Sequence, residues 1–167
     1  MSKTTDNLSA AFAGESQANR KYLAFAKKAD KEGHSQVAKL FRAAAAAETV
    51  HAHNHLRTMG RIGDTAENLK QAVEGEHYEF QSMYPAFIKD AEEEGNEQAK
   101  WTFDVANKVE QIHHGLYTEA LKAVEDGDEI PGKHYYVCQV CGNTVEGAAP
   151  DKCPICGAAK SRFTKVD

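Results

Sequence analysis

The sequence lacks several features that would assign it to common classes of protein. No apolar run reaches the roughly 18 residues that a membrane-spanning helix needs, so we expect no membrane anchor. The first residues are not followed by the apolar stretch of a secretory signal, and we therefore expect a cytoplasmic protein. No Gly-x-Gly-x-x-Gly turn follows a strand pattern, and a net charge of −5 argues against a nucleic-acid-binding surface.

Cysteine is absent from most of the chain and then occurs four times near its end, as two Cys-x-x-Cys-Gly turns. Without a secretory signal, this clustering favours a metal site over disulfides. Four thiolates suit one tetrahedral ion, and both zinc and iron accept tetrahedral sulfur. A purely structural zinc ribbon is the alternative to an electron-carrying iron. The four predicted ligands are Cys138, Cys141, Cys153 and Cys156.

The remaining sequence predicts four long helices, because apolar residues recur every three or four positions and glycines punctuate the pattern. The first has Thr5 and Asp6 as N-cap candidates, and Pro85 should kink the third. The predicted helices cover residues 5–31, 35–59, 65–94 and 96–126. We expect a helical domain over 1–127, a Gly/Pro linker over 128–133 and a small four-cysteine module over 134–167.

Two Glu-x-x-His units lie in apolar stripes, Glu48 with His51 and Glu110 with His113. Residues three apart share a helix face, and a carboxylate on a buried face is costly unless something pairs with it. Two such units are typical of di-metal carboxylate bundles in which two further helices each supply a glutamate. By periodicity alone, His55 would also share the face of Glu48.

Three further glutamates interrupt apolar stripes: Glu15 in the first helix, and Glu76 and Glu79 in the third. For Glu15 the alternative is an ordinary surface position. In each half of the chain a glutamate precedes a glycine turn by about as many residues as the Glu-x-x-His unit follows it, which predicts the same depth in each hairpin. The residues expected to meet at one level are Glu15, Glu48, His51, Glu76, Glu79, Glu110 and His113.

Five converging glutamates could not all remain ionised without cations, because repulsion and desolvation would raise their pKa values. Two metal ions would resolve this. Carboxylate and imidazole ligands suit iron or manganese, and zinc is possible by donor type. Iron is favoured if the site changes its redox state, since zinc does not.

Taken together, the chain resembles the rubrerythrin family over nearly its whole length. The residues that carry the resemblance are 13–18 (Ala-Gly-Glu-Ser-Gln-Ala), Glu48-Thr49-Val50-His51, 75–79 (Gly-Glu-His-Tyr-Glu), Met83-Tyr84-Pro85, Glu110-Gln111-Ile112-His113 and the four cysteines. The resemblance implies a mainly α fold, in which a ferritin-like four-helix di-iron domain precedes a rubredoxin-like domain with one thiolate-bound iron. It implies a peroxidase that reduces hydrogen peroxide to water, with electrons from NAD(P)H.

The resemblance also implies roles for individual residues. Glu48 and Glu110 would bridge the irons, and Glu15 would bind the first iron. Glu76 would bind the second iron together with His113, which takes the motif position instead of the adjacent His114. Glu79 would bind the first iron in the oxidised state, and His51 would replace it in the reduced state. Tyr22 and Tyr84 resemble tyrosines that hydrogen-bond the ligand carboxylates, so the catalytic candidates are Glu79, His51, Tyr22 and Tyr84.

The connection between the second and third helices departs from a ferritin-like bundle, which needs a long crossover there. About five residues cannot span the roughly 35 Å length of the bundle at 3.6 Å per residue. Either the bundle is plain up-down-up-down or its hairpins are swapped between two chains. We favour a swapped homodimer, in which both di-iron sites are built from two chains.

The resemblance implies that a diferrous site reduces peroxide by two electrons, and we expect a glutamate or a water to supply the protons. The thiolate-bound iron would then return electrons singly from a separate NAD(P)H-dependent reductase or a rubredoxin. One alternative is a ferroxidase or iron-handling protein that prefers dioxygen. Another is a metal-stabilised binding module with zinc at both sites.

Overall fold

The computed structural model describes residues 2–166, and most of them are helical. A π-helical segment, Glu79–Met83, joins α3 to α4, and a 3₁₀ turn, Lys160–Arg162, precedes the last strand. The α-helices are α1 (Lys3–Lys31), α2 (Ser35–Thr58), α3 (Thr65–Tyr78), α4 (Tyr84–Glu93) and α5 (Glu97–Asp126). The strands are β1 (Tyr135–Cys138), β2 (Thr144–Glu146) and β3 (Phe163–Val166).

The first two helices form a hairpin whose turn contains Gly33 at a φ of 83°, in the region that favours glycine. Helix α1 begins earlier than expected, and neither Thr5 nor Asp6 is its N-cap. Ser2 takes that position, because its hydroxyl accepts a hydrogen bond from the Thr5 amide at 3.3 Å. The helices pack through the small buried residues Ala26, Ala29 and Ala38, with Phe41 against them.

A buried asparagine fixes the pairing of α1 with α2. Asn19 is only 9% exposed. Its Nδ2 donates to the Ala45 carbonyl at 2.7 Å and to the Thr49 hydroxyl at 2.9 Å. A buried amide is costly unless it is hydrogen-bonded, so these two bonds favour one register between the helices.

Helix α3 begins with a capping box, in which the Asp64 carboxylate accepts from the Glu67 amide and the Glu67 carboxylate accepts from the Asp64 amide. The expected irregularity near Pro85 takes the form of the π-helical segment that ends just before Tyr84. Proline removes a backbone donor and crowds the preceding turn, and a π segment accommodates both.

Both parts of this interrupted helix pack against α5. Beyond the π segment, the rings of Tyr84 and Phe87 lie 6.3 Å and 5.5 Å from the ring of Phe103, which belongs to α5. Helix α5 is capped by the Asn96 side chain and ends at Gly127 with a φ of 73°.

The C-terminal module is a small antiparallel sheet of strand order β2-β1-β3. Val137 in the central strand pairs with Thr144 on one side and Thr164 on the other. The described chain forms two compact units that divide between Gly63 and Asp64, and the module belongs to the second unit. Within residues 2–166, no helix combines the length and apolar composition needed to cross a membrane.

Candidate metal centres

The first unit brings together three of the predicted ligands, Glu15 from α1 and the pair Glu48 and His51 from α2. His51 Nδ1 lies 2.9 Å from Glu48 Oε2 and 4.0 Å from Glu15 Oε1. One donor atom from each residue lies within 4.8 Å of the others. The Glu48 side chain is 17% exposed, which is low for a carboxylate.

The second unit holds an equivalent group, Glu76 from α3 and the pair Glu110 and His113 from α5. His113 Nδ1 lies 2.9 Å from Glu110 Oε2 and 3.7 Å from Glu76 Oε1. These side chains are more enclosed than the first group, because His113 is 27% exposed where His51 is 53% exposed. Each unit therefore presents two carboxylates and an imidazole whose Nδ1 faces them.

Burial and mutual repulsion alter the protonation of the second group. Desolvation, together with a hydrogen bond to Glu110 and its charge, raises the pKa of Glu76 to about 7. The hydrogen bond from His113 lowers the pKa of Glu110, and the same bond raises the pKa of His113. Glu76 and His113 therefore hold protons near neutral pH, and a bound cation could replace them.

A second observation indicates that the group of Glu76, Glu110 and His113 suits a metal ion. Glu76 Oε2 is buried and has no hydrogen-bond partner among the described residues. A buried acceptor without a partner is uncommon and destabilising. A cation beside Glu76 and Glu110 would satisfy that oxygen and offset the repulsion between the carboxylates.

The remaining predicted site residues lie near these groups or on the same helices. Glu79 begins the π segment, and desolvation, then the Glu110 charge, raises its pKa. The pKa of Tyr84 is raised by burial, followed by the charges of Glu110, Glu79 and Glu76. Tyr22 on α1 packs its ring 6.4 Å from Phe25 and 6.1 Å from Phe41.

The four cysteines converge in the C-terminal module as free thiols. Cys138 Sγ lies 3.7 Å from Cys156 Sγ, and Cys141 Sγ lies 3.6 Å from Cys153 Sγ. A tetrahedral ion with bonds of about 2.3 Å to sulfur requires sulfur atoms about 3.8 Å apart, so the site is close to the dimensions needed.

Backbone amides also prepare this site for negative charge. Desolvation opposes ionisation of Cys153, but hydrogen bonds from the amides of Cys156 and Ile155 and from the Cys141 and Cys156 side chains together lower the pKa of this thiol to about 7. The buried Asn143 adds a side-chain donor, with Nδ2 3.6 Å from Cys153 Sγ. Donors directed at sulfur stabilise a thiolate and adjust the potential of the metal it binds.

Sequence reasoning missed two polar residues beside the sites, Asn143 and Thr144. The Thr144 hydroxyl lies 2.9 Å from His113 Nε2, although the two residues are 31 positions apart. Neither residue belongs to a spaced motif, and helical periodicity cannot relate a strand to α5. Their position directly after Cys141 and Gly142 was the only available signal.

Comparison with protein families gives two matches in chain order. Residues 6–121 match the model described as Rubrerythrin. Residues 136–164 match the model described as Rubrerythrin, rubredoxin-like domain. The first match contains both carboxylate–histidine groups, and the second contains the four cysteines.

Curated relatives are similar over nearly the whole chain. Nigerythrin from Nitratidesulfovibrio vulgaris is 38% identical, and the alignment covers 96% of this chain and 85% of that protein. A rubrerythrin from Porphyromonas gingivalis is also 38% identical, with coverage of 97% and 89%. Among solved structures, partially reduced nigerythrin and fully reduced, all-ferrous nigerythrin each align with a TM-score of 0.59 and 35% identity, covering 99% of this chain and 88% of theirs.

Proposed function

The chain belongs to the rubrerythrin family, and from this premise we propose that it reduces hydrogen peroxide to water. It carries the family's di-iron site and a rubredoxin-like four-cysteine site, within a ferritin-like helical fold. The observation that carries the proposal is this combination. Paired carboxylate–imidazole groups suit two-electron chemistry on a small oxidant, and a separate thiolate site suits the return of single electrons.

The proposed ligands of the di-iron site are the two groups described above, with Glu79 as a seventh side chain. Glu48 and Glu110 would be the bridging carboxylates, because each is the glutamate nearer to the histidine of its group, at 2.9 Å from Nδ1. Glu15 would complete one iron and Glu76 with His113 the other. Glu79 and His51 would exchange at the first iron between oxidation states.

The di-iron pair, when bound, would supply two electrons together, so that the O–O bond is cleaved without free hydroxyl radical. The residues of the chain would supply protons and orientation. Glu79 suits proton delivery because burial and the Glu110 charge favour its protonated form. Tyr84 would orient ligand carboxylates, since its ring lies near their charges. We propose an equivalent role for Tyr22.

Electrons would reach the di-iron site from the rubredoxin-like module, one at a time. A separate NAD(P)H-dependent reductase or a rubredoxin would supply them, since the sequence has no Gly-x-Gly-x-x-Gly nicotinamide-binding turn of its own. A four-thiolate iron site fits the reducing conditions of the cytoplasm, where we place the protein.

We further propose that the active form is a homodimer with exchanged helical hairpins. The link between α2 and α3 covers only residues 59–64, whereas a crossover along a bundle needs many more. Large apolar side chains of the first hairpin are exposed in the single chain, with Leu40 at 68% and Val50 at 56%. A second chain would cover them.

An anaerobic mixing experiment tests the proposed activity. The full chain is loaded with iron, reduced and mixed with hydrogen peroxide or with dioxygen while its absorption spectrum is followed. We expect peroxide to oxidise the protein faster than dioxygen does. A double variant, Glu76→Ala with Glu110→Ala, provides the control, because it removes two proposed ligands and leaves the four cysteines intact.

The outcomes separate the rival functions. Faster oxidation by dioxygen would instead support the ferroxidase or iron-handling function. An unchanged spectrum with both oxidants would exclude both redox functions. Zinc in both sites, determined by elemental analysis of the protein as purified, would support the binding module.

A further inference from the structure

The C-terminal module contacts α5 at His113, which belongs to the second carboxylate–histidine group. His113 Nε2 lies 2.9 Å from the hydroxyl of Thr144, the first residue of β2. Its other ring nitrogen, Nδ1, lies 2.9 Å from Glu110 Oε2. The imidazole is 27% exposed, so both nitrogens are held in a largely enclosed setting.

The direction of the Thr144 hydrogen bond follows from the second contact of its hydroxyl. Thr144 Oγ1 also lies 3.2 Å from the Gly142 carbonyl oxygen, which can only accept. A hydroxyl has one hydrogen, and here the carbonyl receives it. The Thr144 oxygen therefore accepts from His113, and a ring hydrogen resides on Nε2. The hydrogen that Nδ1 donates to Glu110 in the metal-free protein is the one that a metal ion would replace.

This arrangement selects one of the two neutral forms of the imidazole. A hydrogen fixed on Nε2 leaves the lone pair of a neutral ring on Nδ1, the atom that faces Glu110 and Glu76. A metal ligand needs that lone pair, and outer hydrogen bonds commonly decide which nitrogen offers it.

The four-cysteine module holds Thr144 firmly in place. Thr144 pairs with Val137 in the sheet. The preceding residue, Asn143, accepts from the Cys138 amide at 2.9 Å and donates to Cys153. The hydroxyl therefore acts from a rigid position, and the same short segment contacts the thiolates and the imidazole.

We propose that Thr144 is a positioning residue for the di-metal site, which holds the His113 ring in the orientation and tautomer that present Nδ1 to a metal ion. This inference rests on the proposed role of His113 as a ligand. It adds a residue outside the helical domain to those that determine metal binding there.

The test measures the affinity of the full-length protein for ferrous iron, by anaerobic competition with a chelator. Thr144→Val keeps the shape of the side chain and removes the acceptor, and we expect about tenfold weaker binding at the di-metal site. Thr144→Ser keeps the hydroxyl and should bind within about twofold of the parent chain. Thr164→Val, on the opposite strand of the same sheet, is the matched control and should bind as the parent does.

The visible absorption of the four-thiolate iron reports whether the module remains folded in each variant. If Thr144→Val binds iron as tightly as the parent, or if Thr144→Ser weakens binding as much as Thr144→Val, the proposal is overturned. His113→Ala separates this result from the proposed function. If His113→Ala does not weaken binding, the ligand assignment is wrong and this inference is wrong with it; if only Thr144→Val is without effect, the ligand assignment stands.

Discussion

Glu76 and Glu110 place carboxylate oxygens within 4.8 Å of each other, and the desolvation of Glu76 beside the Glu110 carboxylate favours a proton on the pair. The pKa of Glu76 is raised from its ordinary 4.5 to about 7, so this carboxyl holds the proton at mildly acidic pH. We therefore expect metal loading below pH 7 to release it, and the apparent affinity to rise with pH up to about 7. His113 adds to the release in the same direction, because its pKa is also raised.

Calorimetric titration of the metal-free protein in two buffers of different ionisation enthalpy, at pH 6, counts the protons released. Glu76→Gln should release about one proton fewer than the parent chain. Equal proton release from both proteins would show that Glu76 is already ionised before metal binds.

The same raised pKa makes the stability of the metal-free protein depend on pH. Between about pH 4.5 and 7 the folded chain keeps a proton on Glu76 that the unfolded chain has lost. The contribution of Glu76 to the free energy of unfolding therefore falls as pH rises through this window. Urea unfolding at several pH values, compared with Glu76→Gln, measures it; a contribution that rises with pH would contradict the assignment.

The buried Asn143 amide should raise the reduction potential of the thiolate-bound iron. Its Nδ2 donates to Cys153 Sγ at 3.6 Å, and the reduced site carries more negative charge for this donor to stabilise. We expect Asn143→Leu to lower the potential by on the order of tens of millivolts. Spectroelectrochemistry measures the change.

Gln139→Leu is the matched control for that measurement, since the side-chain amide of Gln139 donates to the Val137 carbonyl instead of to a cysteine sulfur. Its potential should match that of the parent chain. An unchanged potential in Asn143→Leu would show that the long N–H···S contact has no electrostatic effect.

Asn19 should contribute to the stability of the first hairpin through its two buried hydrogen bonds. Asn19→Ala removes both donors, and we expect a loss of about 1–3 kcal/mol in the free energy of unfolding. Urea unfolding followed by helical circular dichroism measures it. Asn54→Ala, an exposed change on α2, should stay within about 0.5 kcal/mol of the parent chain.

A mixing experiment tests hairpin exchange. One chain carries Glu15→Ala and Glu48→Ala, and the other carries Glu76→Ala and Glu110→Ala. In an exchanged mixed dimer, one site contains only intact residues and the other contains all four changes. Random assembly should therefore restore about a quarter of the sites.

Coexpression of the two chains, followed by the rate of oxidation by peroxide, measures the restored fraction. If each chain builds its own site, the mixture stays as inactive as either variant alone. The two variants assayed separately provide the baseline.

Much of this architecture could be predicted from the sequence because its signals are local. Gly33, Gly95 and Asn96 mark helix ends through backbone geometry that few other residues allow, and the cysteine spacing defines its own site. The Glu-x-x-His units identify a helix face. Each of these signals involves residues close together in the chain.

The features that the sequence did not predict depend on contacts between residues far apart in the chain, or on the exact residue at which an element begins or changes. The contact between Thr144 and His113 joins a strand to a helix, and periodicity has no information on such pairs. Ser2, Thr5 and Asp6 are all suitable N-caps, so the sequence did not show that Ser2 would be the residue that caps α1. The proline within the third predicted helix indicated an irregularity, but not that it would be π-helical.

Because of the π segment, the number of residues between α3 and α4 is more strictly constrained than the identity of most of those residues. Deleting one residue from Glu79–Met83 would convert it to plain α-helix and rotate everything beyond it by about 100°. Glu76 could then remain beside Glu110 only if Tyr84 and Phe87 turned away from Phe103. In descent from a common ancestor, substitutions at positions 80–82 should therefore accumulate, while single-residue gaps should be eliminated.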